Sequence, residues 1–205
     1  MILSYDSIAV RLGNKQILES VSLSSRPGQL VGIVGANGCG KSTLIKTTFG
    51  TVRHQAGAIT LDGQPISRFS PRELASCLGY VGQDANCPFN FSVRDVVSMG
   101  LYARKDSKNG KQIVSDEPTN HLDIRHQLFV MDYLKQSRKD TLLVIHDLRL
   151  AAHYCDYLYM ICDGRVYAQG TPEQVLCLEN VRHVFGVEGH AGGTPSGAGD
   201  FILFP

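Results

Sequence analysis

The stretch Leu30-Val31-Gly32-Ile33-Val34-Gly35-Ala36-Asn37-Gly38-Cys39-Gly40-Lys41-Ser42-Thr43-Leu44-Ile45 decides how the rest of the chain is read. Its centre, Gly35 to Ser42, fits G-x-x-x-x-G-K-[ST]. The apolar run before it and the helix-compatible run after it give the order strand, loop, helix that a phosphate-binding loop requires. Glycines at 35, 38 and 40 allow successive backbone N–H groups to turn inward on a polyphosphate, and the helix that follows offers its positive dipole end to the same anion. Lys41 is placed to reach the β- and γ-phosphates and Ser42 to ligate Mg²⁺. Asn37, Cys39 and Thr43 complete the set of candidate contacts. A glycine-rich turn before an unrelated helix explains neither the Lys-Ser pair nor the apolar strand.

Working outward, the N-terminal segment from Ile2 to Ser25 holds β-rich runs broken by Gly13-Asn14 and closed by Pro27-Gly28, which predicts an antiparallel edge layer. Ala58 to Leu61 followed by Asp62-Gly63 predicts a hairpin. Ser70-Pro71-Arg72-Glu73 supplies an N-cap, an N1 proline and a capping-box glutamate. Leu78 to Val81 reads as a strand that delivers Gly82-Gln83 into a loop, and Ser92 opens a helical pattern carrying Val93, Val96, Val97 and Leu101. After the charged run Arg104 to Gly110, Gln112 to Ser115 reads as a strand ending at Asp116-Glu117-Pro118. Ile124, Leu128, Met131 and Leu134 have helical spacing, and Thr141 to Ile145 is a buried strand leading to His146. Tyr157–Cys162 and Arg165–Gln169 flank the turn Asp163-Gly164, and Thr171-Pro172-Glu173-Gln174 caps another helix. Residues 189–200 read as a flexible tail, with Phe201 to Phe204 as a last edge strand. Strands alternating with helices around a phosphate loop imply an α/β fold with a mainly parallel central sheet.

Composition sets bounds on function. The 205 residues carry 20 Lys+Arg and 19 Asp+Glu, a formal charge of +1, so no strong field recruits nucleic acid. Six cysteines at 39, 77, 87, 155, 162 and 177 never fall as C-x-x-C, which disfavours a metal cluster and predicts a reduced, cytosolic setting.

The string Asp116-Glu117-Pro118-Thr119-Asn120-His121-Leu122-Asp123, taken with the phosphate loop, Gln83 and His146, resembles the ATP-binding subunit of ABC transporters over nearly the whole chain. The resemblance implies a phosphate-loop NTPase of one domain spanning 1–205, with a helical subdomain reduced to residues 84–111. It implies ATP and Mg as ligands. Ser42, Gln83 and Asp116 match the metal contacts, Glu117 the glutamate that orients the attacking water, His146 the switch histidine at the γ-phosphate, and Leu122-Asp123 the segment that meets a second nucleotide-binding subunit. Integral membrane permease subunits are the further implied partners, and the inner face of the cell membrane the implied location. Segments 91–102, 170–176 and 181–187 are similar to those of importers of iron-siderophore complexes, haem and cobalamin. The other readings are a nucleotide-binding module without efficient hydrolysis and a soluble ABC-type ATPase of repair or translation, the latter disfavoured by the near-neutral charge.

Three departures from that family stand out. The Leu-Ser-Gly-Gly-Gln-type signature, which in the family caps the partner's γ-phosphate, is absent, and only Lys105 to Ser115 fill the interval before Asp116. Turnover by this chain alone is therefore expected to be slow or nil. The strand before Asp116 offers only Ile113 and Val114 as strongly apolar residues, so Asp116 is expected to be weakly held. Where the family stacks an aromatic ring on adenine, this chain has Leu12, with a loss on the order of 1 kcal/mol. Leu12→Tyr is accordingly expected to tighten ATP more than inorganic triphosphate in calorimetry; an equal gain for both ligands would refute the stacking argument.

Overall fold

The computed structural model describes residues 1–82, 112–120, 122–187, 189–193 and 199–203. Two long strands, β1 (Leu3–Leu12) and β2 (Lys15–Ser24), form a hairpin that leads to β3 (Leu30–Val34), all five of whose residues are buried. The phosphate loop then enters α1 (Lys41–Thr48). Next come β4 (Ala56–Leu61), β5 (Gln64–Pro65), a single 3-10 turn, α2 (Pro71–Cys77) and β6 (Leu78–Val81). Beyond the undescribed interval lie β7 (Gln112–Asp116), α3 (Ile124–Ser137), β8 (Thr141–Val144) and α4 (Leu148–Tyr154). The chain continues through β9 (Tyr157–Cys162), β10 (Arg165–Gly170), α5 (Pro172–Val175) and α6 (Leu178–Phe185).

The main sheet has the order β10-β9-β3-β8-β7-β6, parallel except for β10. The predicted antiparallel layer is a second sheet of order β2-β1-β4-β5. Local signals act where they were read: Ser70 and Glu73 close a complete capping box at α2, and the Thr171 amide donates to Gln174 Oε1 at 3.0 Å.

Two cores result. One lies between the antiparallel layer and the main sheet, where Tyr5, Ile8, Val21 and Ile59 meet Val31, Ile33, Leu44 and Ile45. The other fills the opposite face of the main sheet, with Met131, Leu134, Leu143, Ile145 and Leu158 packed under Val175, Val181 and Val184. Complete burial of side chains such as Leu44 and Ile45 stabilises by about 1.5–3 kcal/mol each. The Tyr5 hydroxyl lies 2.5 Å from Thr48 Oγ1, joining β1 to the last turn of α1 inside the first core.

Three expectations are corrected. The stripe of α3 is only half inside: Met131 and Leu134 are buried, but Ile124 and Leu128 are 76% and 41% exposed, because only the second half of the helix lies on the sheet. Within the expected tail 189–200, the described residues 189–193 and 199–200 are paired as strands. β11 (Gly189–Gly193) pairs antiparallel with β12 (Gly199–Leu203), since backbone groups alone can build a ladder through a glycine-rich run. Asp116 is firmly enclosed, as its strand lies between β6 and β8 and gains from neighbours the burial its own sequence does not announce. The proposed subdomain remnant 84–111 and the Ser92 helix lie outside the described residues.

Gln112, at the start of β7, is buried, and its amide nitrogen and oxygen have no hydrogen-bond partner among the described residues. An unsatisfied buried polar group costs about 1–3 kcal/mol. Gln112→Met, close in shape and without the amide, is expected to raise stability by about 1–2 kcal/mol in urea unfolding. A loss of similar size would show that the amide is satisfied in solution.

Candidate functional site

The parallel ladder sets the height at which each candidate side chain leaves the sheet. Ile33 pairs with Val144 and Val144 with Asp116, so Gly35, Glu117 and His146 all emerge within two residues of one rim. Loops at the carboxyl ends of parallel strands are where such sheets bind ligands.

In the phosphate loop, Gly35 has φ 150°, and a Cβ there would stand 2.2 Å from the Ile161 carbonyl oxygen. Gly40 caps α1 at φ 106°, where a Cβ would meet Leu18 at 2.4 Å. Both positions need glycine for conformation and for space. Asn37 and Gly38 are exposed at the loop's tip, and Thr43 is half-buried in the first turn of α1. Lys41 is buried, with Nζ donating to the carbonyls of Gly35 at 2.8 Å and Ala36 at 2.9 Å. Its ammonium thus lies across the inside of the loop. Cys39 Sγ is 3.8 Å away, and burial pushes that thiol up even with the lysine beside it.

Ser42 Oγ donates to Asp116 Oδ1 at 2.9 Å, tying the first turn of α1 to the end of β7. Asp116 is fully buried, and its Oδ2 has no partner among the described residues. Burial pushes the Asp116 carboxyl up; the Ser42 bond opposes this, and the neighbouring Glu117 charge adds to it.

Glu117 takes φ 57°, the left-handed region a non-glycine residue seldom occupies. That backbone twist turns its side chain back over the rim. One carboxylate oxygen meets Nε2 of His146, and the other accepts from Asn120 Nδ2 at 2.9 Å. The Glu117 side chain is 8% exposed and that of His146 40%. Asn120 is a site residue to which sequence reading gave no role; the turn bond from its amide to the Glu117 carbonyl, 3.1 Å, is what brings the two side chains together. A short polar side chain three residues after the carboxylate, in a turn opened by Pro118, is the signal that could have found it.

Asp123 caps α3 through the His126 amide at 2.9 Å, and Leu122 stands partly exposed beside it. Leu12 ends β1 at 49% exposure, next to the Gly13 turn. Gln83 lies outside the described residues. The site therefore assembles a buried cation in a glycine loop, a hydroxyl on a buried carboxylate with a spare oxygen, and a second carboxylate clamped between an imidazole and an amide.

Comparisons with known proteins agree with this arrangement. Residues 18–144 match the family model described as ABC transporter. The hemin import ATP-binding protein HmuV of Rhizobium meliloti (strain 1021) is 30% identical over 250 aligned positions, covering 96% of this chain and 95% of the relative. That alignment is 45 positions longer than the 205-residue chain, so the relative carries residues with no counterpart here. The cobalamin import ATP-binding protein BtuD of Halobacterium salinarum (strain ATCC 29341 / DSM 671 / R1) is 31% identical, covering 96% of this chain and 62% of the relative. Among solved structures, an ATP binding subunit of an ABC transporter superimposes with a TM-score of 0.73 at 21% identity, covering 93% of this chain and 95% of that one. CbiO1 from Clostridium perfringens, part of the cbiONQ complex, gives 0.68 at 22%, covering 88% and 92%. With the family model spanning both the phosphate loop and the Asp116-Glu117 rim, the chain belongs to the ABC transporter family as an ATP-binding domain.

Proposed function

We propose that this chain is the ATP-hydrolysing subunit of an importer for a metal chelate of the haem, cobalamin or iron-siderophore class, and that alone it binds ATP but turns it over slowly. The observation that carries the site assignment is the convergence of Lys41, Ser42, Asp116, Glu117 and His146 on one rim of the parallel sheet. The substrate class is supported by the names of the hemin and cobalamin import relatives.

Lys41 binds the polyphosphate by exchanging its contacts with the loop's own carbonyls for phosphate oxygens. Asp116 Oδ2, without a partner among the described residues, and the adjacent Ser42 Oγ are hard oxygen donors suited to a divalent cation such as Mg²⁺. When bound, that ion neutralises charge on the β- and γ-phosphates. Gln83 is proposed as a further contact to it. Glu117 orients the attacking water, and His146 and Asn120 fix the carboxylate that does so. Leu12 takes the adenine by aliphatic contact. Closure over the γ-phosphate excludes water and completes charge stabilisation. In the family a partner's signature supplies that closure, and this sequence contains none.

Import ATP-binding subunits of ABC transporters work with membrane permease subunits. Among the described residues no helix is long and apolar enough to cross a membrane. We place the chain on the inner face of the cell membrane, held there by its permease and paired with a second nucleotide-binding subunit. We regard residues 1–205 as one nucleotide-binding domain in which 84–111 stand for the helical subdomain.

Asp116→Asn keeps an acceptor for Ser42 and removes the charge from a buried site. It is expected to raise the melting temperature of the ligand-free protein at pH 7 and to abolish the further rise that Mg-ATP gives the parent. A variant that melts lower, or still responds to Mg-ATP, would contradict the metal assignment.

The function as a whole is tested by phosphate release. The unmodified chain is expected to stay near background. A version carrying a family-like segment with a signature between Tyr102 and Gln112 should release phosphate at least ten-fold faster and lose the gain on Glu117→Gln, a change of at least about 1.4 kcal/mol in barrier. Hydrolysis at an ordinary transporter rate by the unmodified chain would overturn the account.

A further inference from the structure

Helix α3 is apolar on two sides. Its inner side, with Met131 and Leu134, lies on the sheet. At 100° per residue the outer side is centred on Arg125 and Asp132, flanked by Ile124 and Leu128 on one edge and Phe129 and Tyr133 on the other. These four are 76%, 41%, 69% and 59% exposed, and Arg125 and Asp132 are exposed between them. A helix with apolar residues on its outer as well as its inner side ordinarily has cover on both, and here two exposed apolar edges flank a charged centre.

The order of residues on this face identifies the occupant. We infer that the outer face of α3 pairs antiparallel with the α3 of a second copy of this chain, about a two-fold axis between Leu128 and Phe129. Under that symmetry Arg125 faces Asp132 twice, while each flank meets its own copy, Leu128 against Leu128 and Phe129 against Phe129 beside the axis, with Ile124 and Tyr133 at the two rims. Arg125 and Asp132 are seven residues apart, so at 1.5 Å per residue each sits about 5 Å from the axis along the helix and meets its opposite charge. A parallel pairing would set Arg125 against Arg125 and Asp132 against Asp132, and is excluded by repulsion.

The neighbouring charges are already engaged elsewhere or leave the pairing intact. Lys135 donates to Asp156 at 2.6 Å and to the Tyr154 carbonyl at 2.9 Å, and His126 Nδ1 lies 2.8 Å from Asp123. Asp132 Oδ1 accepts from the Tyr154 hydroxyl at 2.9 Å, which leaves its other oxygen for a guanidinium. Arg125 makes no ion pair among the described residues. This contact is isologous and needs no nucleotide, unlike the closure of a partner over the γ-phosphate described above.

Sedimentation equilibrium in EDTA, without nucleotide, tests the pairing. The parent is expected to form a dimer at micromolar concentration. Arg125→Asp and Asp132→Arg should each weaken association by roughly 100-fold, because each sets two like-charge pairs across the axis. Mixed one to one, the two variants should recover the dimer, since the mixed pair has Asp at both positions in one copy and Arg at both in the other. That recovery also shows both variants to be folded. Phe129→Glu should be monomeric alone and in either mixture. A monomeric parent, single reversals that associate as the parent does, or a mixture that stays monomeric would overturn the proposal. So would association that appears only with ATP and vanishes in Lys41→Ala, which would assign it to the nucleotide site and leave the proposed function standing.

Discussion

The register of three parallel strands is the constraint on which the rest of the molecule depends. Val144 of β8 stands between Ile33 of β3 and Asp116 of β7, and this one rung brings residues separated by more than a hundred positions in sequence to a common edge. A slip of one residue would turn Asp116 to the other face of the sheet and part it from Ser42. The hydrogen bond between those two side chains is thus a readout of correct pairing, as well as a link between helix and strand.

Adjacent carboxylates on that edge live in different surroundings. Asp116 is sealed inside the sheet with one oxygen served by a hydroxyl and the other without a partner among the described residues. Glu117, one residue on, has left the strand through an unusual backbone angle and holds a partner on each oxygen. The division suits the two tasks proposed for them, a fixed metal ligand and a base that orients water. The left-handed angle at Glu117 falls where the proposed chemistry would need it.

Much of this was legible in the sequence because it is local. The loop from Gly35 to Ser42, the capping residues Ser70 and Thr171 and the alternation in β1 and β2 each carry their signal within a few residues, and the α/β class with its antiparallel layer follows from them. What was hidden depends on neighbours distant in sequence. The burial of Asp116 comes from β6 and β8, the exposure of Ile124 and Leu128 from where α3 leaves the sheet, and the clamp on Glu117 from a turn that folds Asn120 back. Pairing of the glycine-rich strands β11 and β12 rests on backbone groups, which periodicity in side chains does not report.

The bond between Tyr5 and Thr48 reaches further than its place in the core suggests. It fastens the strand that ends at Leu12 to the far end of the helix that begins at Lys41, so the surface proposed for a nucleotide base and the cradle proposed for its phosphates are parts of one tied body. Such a body measures length. With the base and phosphates seated as proposed, it would set the span between ring and phosphate in advance and disfavour ligands of another length.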